Sequence, residues 1–147
     1  MPNGSGGTVD VSGDVFFMVG KFNAVAAASP VFNLTNVWAE AEFYVYSYSE
    51  VGIVARGGSY DTDGDYDYDW GDLKLSTAVA WGNSSSNRST FCHEIDHVMG
   101  LHHVWDHGSD GIDNVGSKAT CIGAGYPTGP SIDDVSALSA VYAGALP

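Results

Sequence analysis

The histidines of this chain lie in one short run, FCHEIDHVMGLHHVWDH, which extends from Phe91 to His107 and contains all five of them. His93 and His97 are four residues apart, so on a helix their side chains lie one above the other and point the same way. Two imidazole nitrogens in that arrangement can bind one Zn²⁺ at about 2.0–2.1 Å each. The run therefore predicts a helix, from about residue 90 to 101, that carries a metal site and is terminated by Gly100.

The residues after the second histidine complete the pattern H-E-x-x-H-x-x-G-x-x-H. Gly100 can turn the chain sharply, which brings His103 back as a third ligand and leaves the fourth position for water. Three protein ligands with one open position are the arrangement of catalytic zinc, and Glu94 is placed to act as general base toward a zinc-bound water. A surface run of histidines is the alternative, but the complete pattern is far rarer by chance. His102 and His107 lie outside it. His102 is interpreted as a loop residue and His107 as a solvated side chain, with an outer-shell position or a separate ion as the alternatives for His107.

Apolar and alternating segments predict an α+β domain with the order strands, helix, loop, helix. The strongest strand signal is DLKLSTAVAWG, which places five residues on one face at a spacing of two: Leu73, Leu75, Thr77, Val79 and Trp81. The other predicted elements before the histidine helix are strands at 14–20, 41–49 and 51–56 and a short helix at 22–29.

The C-terminal part of the chain predicts a final helix in PSIDDVSALSAVYAG. Ser131 is followed by Asp134, a start that resembles a capping box, and one helical face carries Ile132, Val135, Leu138 and Tyr142. For the histidine helix, the preceding polar turn predicts a cap at Ser89 or Thr90. Residues 1–13, rich in Gly and Ser, are predicted to form a flexible lead-in to a single domain at 14–147.

The charge of the chain excludes some classes of partner. The 147 residues include 18 acidic and 5 basic ones, for a net charge of −13, and such a surface repels nucleic acid and anionic membranes. No apolar run approaches the roughly 20 residues that a membrane helix needs. The start, MPNGSGG, lacks the pattern of a signal peptide, which a mature or recombinant form would have lost. The composition favours a soluble domain that contacts neutral or basic substrates or cations.

Two cysteines, Cys92 and Cys121, permit one disulfide with a single pairing. Such a bridge would close a long loop and stabilise the fold by about 3–4 kcal/mol in the chain-entropy description. Two free thiols, or a thiolate that binds metal, are the alternatives that the residues by themselves leave open.

A second candidate metal site lies in the acidic loop DTDGDYDYDWGD, because oxygen-rich loops bind Ca²⁺. The loop is not an EF-hand, since Tyr66 stands where that motif needs glycine and no exiting helix follows. A different kind of calcium loop and a solvated acidic loop are both open. The candidate ligands are Asp61, Asp63, Asp65, Asp67, Asp69 and Asp72.

The complete histidine pattern is the signature of the metzincin zinc endopeptidases, and the neighbouring residues narrow the resemblance. FCHEIDHVMGLHH, TCIGAGYP and SIDDVSALSAVY together resemble the matrixin-type secreted enzymes, especially compact bacterial and archaeal forms. The resemblance covers about residues 73–143. It implies a twisted, mostly parallel sheet packed on the histidine helix, a C-terminal helix, and a strand at about 73–81 that flanks the cleft and offers its edge to an extended peptide.

The resemblance also implies roles for individual residues. In many relatives a Cys directly before the first ligand pairs with a Cys in the turn beneath the zinc, and Cys92 and Cys121 match both positions. The implied zinc ligands are His93, His97 and His103, with Glu94 as general base.

Four positions near the motif do not match the pattern of these enzymes closely. Ile122 stands in the turn beneath the zinc where metzincins carry Met, and Asp96 stands where these enzymes usually have Gly. On a helix Asp96 is expected to be an outer-shell carboxylate or an exposed charge. Val104 occupies the position of a subfamily marker. Tyr126 is implied as a hydrogen-bond donor to a tetrahedral intermediate, although its spacing differs from that of the relatives.

These observations predict a secreted, monomeric zinc endopeptidase that hydrolyses peptide bonds in protein or peptide substrates. The alternative is a catalytically weak or inactive zinc- or calcium-binding extracellular module on a metzincin frame, in which Ile122 and Asp96 mark a changed role. Retention of Glu94 argues against that alternative, because metal binding alone does not need a general base.

Overall fold

The computed structural model describes residues 1–24, 32, 33, 35, 39, 41–64, 69–101, 121 and 129–142. Within these residues lie three helices and three strands, which confirms the predicted α+β class. None of the described helices is long and apolar enough to cross a membrane. The elements in chain order are α1 (Ser12–Ala24), β1 (Phe43–Tyr48), β2 (Ala55–Tyr60), β3 (Trp70–Ser76), α2 (Ser84–Val98) and α3 (Ile132–Tyr142).

The three described strands form one mixed sheet in the order β1-β3-β2. β1 runs parallel to β3, whereas β2 runs antiparallel to it. The prediction of a mostly parallel sheet is therefore wrong for the described strands, since one of the two strand pairs is antiparallel. The strand predicted at 41–49 is confirmed as β1.

β3 is the central strand, so the prediction that a strand at about 73–81 offers an edge to the cleft is wrong. Its backbone pairs with a strand on each side, and it ends at Ser76. Leu73 and Leu75 are buried as their spacing predicts, but Thr77 is exposed. Trp81 is buried separately and its indole N–H donates to the carbonyl oxygen of Ser76 at 2.9 Å. The alternation of residue types continues past the strand, which is why the pattern overestimated its length.

β2 is an edge strand of the described sheet and begins later than the predicted strand at 51–56. Its sequence, ARGGSY, lacks an apolar alternation because its backbone itself packs on α2. A Cβ at Gly57 would lie 1.9 Å from the carbonyl oxygen of Glu94, and one at Gly71 of β3 would lie 2.6 Å from a methyl group of Val98. Glycine inside these strands therefore marks the close approach of the sheet to α2.

α1 replaces the strand predicted at 14–20. The apolar run was too short for a period of two to be distinguished from a period of 3.6. Asp14, near the start of the helix, accepts a hydrogen bond from the Arg88 guanidinium of α2 at 2.9 Å, which joins the two helices. The buried apolar side chains of α1 recur at helical spacing: Val15, Met18 and Phe22.

α2 contains the histidine helix and begins before the position that the polar turn predicts. Its N-cap is Asn83, whose side chain accepts a backbone N–H of the first turn at 3.1 Å. The caps predicted at Ser89 or Thr90 are wrong, because the polar segment that precedes the histidines is itself helical. Gly100 adopts a φ of 88° just beyond the helix, which confirms it as the terminator.

α3 begins with the predicted capping box. The Ser131 N–H donates to Asp134 Oδ2 at 2.7 Å, and the Asp134 N–H donates to Ser131 Oγ at 3.2 Å. The predicted apolar face packs only in part, since Leu138 is fully buried but Ile132 is 77% exposed. The side chain of Tyr142 lies outside the described residues.

The residues before α1 contact the rest of the fold. Met1 and Val9 exchange two hydrogen bonds of 2.7 and 2.8 Å, and the Trp81 N–H donates to the carbonyl oxygen of Pro2 at 2.8 Å. The predicted boundary between residues 13 and 14 lies inside α1. The division into a flexible lead-in and one domain stays a prediction.

Candidate metal centre

The helical spacing of His93 and His97 brings their imidazoles together on one face of α2. Their Nε2 atoms are 3.2 Å apart, and the ring planes are nearly perpendicular, at 88°. Two nitrogens that bind one tetrahedral zinc at about 2.0–2.1 Å are separated by about 3.3–3.4 Å. The observed separation of the two Nε2 atoms therefore fits a shared zinc.

The other nitrogen of each ring is held by a backbone carbonyl. His93 Nδ1 lies 3.1 Å from the carbonyl oxygen of Cys121, and His97 Nδ1 lies 2.7 Å from that of Leu101. A carbonyl oxygen only accepts, so each Nδ1 is the donor, and in a neutral ring Nε2 then carries the lone pair that can bind a metal. Two such lone pairs 3.2 Å apart repel each other unless a cation or a proton lies between them. The tautomers thus favour metal binding.

Glu94 lies beside this pair with its carboxylate turned to β2. Glu94 Oε2 accepts the backbone N–H of Gly57 at 2.5 Å. Burial raises the pKa of the Glu94 carboxyl to about 7, against smaller lowering effects of that N–H and of the charge on Arg56. A carboxyl group with a pKa near neutrality is suited to accept and return a proton at physiological pH.

A concavity of about 420 Å³ opens over these three side chains. Its walls are formed by β2 and the residues just before it, by the histidines and Glu94, and by Leu101. The close contact of Gly57 with the backbone of α2 brings the β2 edge beside the Nε2 atoms of His93 and His97. The sequence had indicated no role for β2, although the glycine pair inside an otherwise extended segment was a signal of close backbone approach.

Cys92 and Cys121 are paired, with their Cα atoms 5.1 Å apart, which is within the range of disulfides. The pairing that the resemblance implied is therefore confirmed, and neither cysteine is a free thiol. The Cys121 N–H also donates to Asp134 Oδ2 at 3.0 Å, while its carbonyl accepts from His93. The disulfide, α3 and the first candidate ligand thus all hold the chain at residue 121.

Asp96 is fully buried, so the expectation of an exposed helix charge is wrong. One of its oxygens lies within 4.8 Å of a carboxylate oxygen of Asp134, and neither Asp96 oxygen has a hydrogen-bond partner within the described part of the chain. Burial, with a further contribution from Asp134, raises the pKa of the Asp96 carboxyl to about 9. Asp96 is therefore neutral near pH 7, because burial and the neighbouring carboxyl of Asp134 both disfavour a charge at this position.

Three carboxylates of the acidic loop lie close to one another. One carboxylate oxygen from each of Asp61, Asp63 and Asp69 lies within 4.8 Å of the others. Asp69 Oδ2 accepts the backbone N–H of Thr62 at 2.8 Å and also the Thr62 hydroxyl. Asp72 is not in this group, because it is buried on β3 beside Lys74 at 3.2 Å. Calcium binding by the loop stays a prediction.

Several predicted site residues lie outside the described residues. They include the third implied ligand His103, the residue Ile122 that replaces the turn methionine, and the implied stabiliser Tyr126. The loop carboxylates Asp65 and Asp67 also lie outside the described residues, as do His102, Val104 and His107.

Comparisons with family models, with curated proteins and with solved structures found no match for this chain.

Proposed function

We propose that this protein is a secreted zinc-dependent endopeptidase. The observation that carries the proposal is the 3.2 Å separation of His93 Nε2 and His97 Nε2, in rings whose Nδ1 atoms are both held by carbonyl oxygens. The motif supplies His103 as the third ligand. Bound Zn²⁺ supplies a Lewis acid that polarises the scissile carbonyl and lowers the pKa of water.

Glu94 is the general base in this proposal. It accepts a proton from the attacking water and delivers it to the leaving amine, which requires a carboxyl that is stable in both protonation states. Its pKa of about 7 meets that requirement. Gly57 positions the carboxylate through the 2.5 Å hydrogen bond to Oε2, so β2 orients the base as well as bordering the concavity.

The edge of β2 is the place where an extended substrate is expected to pair. The Ser76 N–H donates to the Val54 carbonyl at 2.9 Å, and the antiparallel register then directs the peptide groups of Ala55, Gly57 and Ser59 away from β3. Gly57 uses its N–H for Glu94. The remaining peptide groups on this edge can bind a peptide backbone beside the candidate zinc ligands.

The paired cysteines support export to an oxidising compartment, because disulfides persist there and are rare in the cytosol. The acidic cluster of Asp61, Asp63 and Asp69 favours the second candidate function, a zinc- or calcium-binding extracellular module without protease activity. Metal content measured together with peptide cleavage distinguishes the two functions.

The test combines zinc analysis with cleavage of a broad peptide library. We expect one zinc per chain and cleavage that a chelator abolishes. Glu94→Gln is expected to keep the zinc and lose cleavage, while His97→Ala is expected to lose both. Glu42→Gln, which changes an exposed glutamate, is the matched control and is expected to behave as the wild type. A wild-type chain that holds zinc but cleaves no member of the library would refute the protease and leave the binding module.

A further inference from the structure

A second concave site lies on the other face of the sheet. Leu73 and Leu75 of β3 point into the core, so the alternating residues of that strand point away from α2. The strand register places aromatic rings and one ion pair side by side on this outer face. The side chains concerned are Tyr44, Tyr46, Tyr60, Trp70, Asp72 and Lys74.

Two rings form a corner at one end of the outer face. The ring centroids of Tyr44 and Trp70 are 6.0 Å apart, and their planes meet at 79°. Together with Tyr46, which is 38% exposed, and with Ala41 and Asp69, they line an open concavity of about 750 Å³. The concavity therefore presents three aromatic side chains and one carboxylate to a ligand.

The rings are held in place by their neighbours. Trp70 stacks on Tyr60, with ring centroids 4.1 Å apart and an interplanar angle of 17°. The Tyr46 hydroxyl donates to Asp72 Oδ2 at 2.7 Å, and the Tyr60 hydroxyl lies 3.2 Å from Asp72 Oδ1. Because Asp72 is buried in the sheet, these contacts fix two of the tyrosines before any ligand arrives.

The charges around the concavity favour a cation. Hydrogen bonds from Thr62 lower the pKa of the Asp69 carboxyl, which is therefore ionised at neutral pH. Asp61 and Asp63 place two more carboxylates within 4.8 Å of it. Lys74 also lies on this face, 6.0 Å from the centroid of the Tyr46 ring, and its charge is matched by Asp72 at 3.2 Å. The chain as a whole has a net charge of −13.

We propose that this concavity binds the cationic side chain of a lysine or arginine from a partner polypeptide. The faces of aromatic rings attract cations, and a site that combines several rings with a carboxylate is the arrangement that recognises alkylammonium and guanidinium groups. Tyr44, Tyr46 and Trp70 supply the rings and Asp69 supplies the counter-charge. The site is independent of the metal centre, because none of its lining residues borders the concavity over His93 and His97.

The test is an NMR titration of the isotope-labelled full chain, which follows the indole N–H signal of Trp70. The probes are three short peptides of the form acetyl-Gly-X-Gly-amide, in which X is lysine, arginine or the neutral norleucine. We expect the lysine and arginine peptides to shift the Trp70 signal in a saturable way. At low salt their dissociation constants should be at least threefold lower than that of the norleucine peptide, and binding should weaken as salt is added.

Variants separate the pocket from general electrostatic attraction. Trp70→Leu and Asp69→Asn are each expected to weaken lysine peptide binding by about threefold to tenfold. For Trp70→Leu the readout is the backbone amide signal of Ala41. Asp10→Asn removes one exposed carboxylate that neither lines the concavity nor belongs to the acidic loop, and Phe16→Leu removes an exposed ring elsewhere; both are expected to bind as the wild type. Equal binding of the norleucine peptide, or an equal loss in Asp10→Asn and Asp69→Asn, would overturn the proposal.

Discussion

Substitution of Gly57 by alanine tests the contact that joins β2 to the candidate site. The added Cβ would lie 1.9 Å from the carbonyl oxygen of Glu94 and 2.7 Å from its carbonyl carbon. Both atoms belong to the backbone of α2, so no side-chain rotation can relieve the overlap. β2 must instead move away by about 1.5 Å to reach an ordinary contact of 3.4 Å. The hydrogen bond from Gly57 to Glu94, now 2.5 Å, is then broken.

The expected loss of stability follows from these changes. Overpacking of this kind costs about 1–3 kcal/mol, and loss of one hydrogen bond to a carboxyl adds about 1–2 kcal/mol. The lower chain entropy of alanine in the unfolded state offsets about 0.4–1 kcal/mol. We therefore expect Gly57→Ala to reduce the free energy of unfolding by about 2–4 kcal/mol, which is a large part of the stability of a domain of this size.

Urea unfolding of metal-free protein measures this loss, and the adjacent residue supplies the control. A Cβ at Gly58 would lie 3.3 Å from the Tyr60 hydroxyl and 3.6 Å from its ring carbon Cζ, so a shift of a few tenths of an ångström is sufficient to accommodate it. Gly58→Ala is expected to stay within about 1 kcal/mol of the wild type. If Gly57→Ala unfolds at the same urea concentration as Gly58→Ala, the close packing of β2 on α2 is refuted.

Two further predictions concern the buried residues around the site. Replacement of Cys92 and Cys121 by serine is expected to lower the free energy of unfolding by about 3–4 kcal/mol, because the bridge closes a sequence separation of 29 residues. A reductant should lower the melting temperature of the wild type and leave that of the double variant unchanged. Asp96 has a folded-state pKa of about 9 against 3.8 for the ordinary group, so folding takes up a proton between those pH values and stability falls as pH rises. Between pH 5 and pH 8, in the presence of a chelator, the free energy of unfolding of Asp96→Asn should therefore rise relative to that of the wild type. If the two proteins show the same pH dependence of stability, Asp96 is not a buried neutral acid.

The part of the candidate site that could be predicted is the part that depends on local spacing. His93, Glu94 and His97 lie within two turns of one helix, so their relative positions follow from helical geometry once the helix forms. The capping box of Ser131 and Asp134 was predictable for the same reason. By contrast, the burial of Asp96 depends on what packs beside that helix face, and no feature of the motif indicates it.

The fold was harder to predict where an element depends on partners distant in the sequence. The run that became α1 is apolar at spacings that fit either a short strand or a helix, and as a helix it buries Val15, Met18 and Phe22. β2 lacks an apolar pattern because Gly57 places backbone, and not a side chain, against α2. The position of β3 between two strands is a property of the pairing and cannot be read from the alternation of its residues.

The chemical groups that this chain can use follow from the order of its residues. That order provides two imidazoles and one carboxyl at helical spacing, two cysteines with one possible pairing, and a strongly negative charge. The folded arrangement alone shows which strand edge meets those groups, that Asp96 is buried and neutral, and that aromatic rings from β1 and β3 line a concavity with Asp69. The difference lies in the range of the interactions: spacing along one helix is set by covalent geometry, whereas register, burial and pKa are set by residues that only folding brings together.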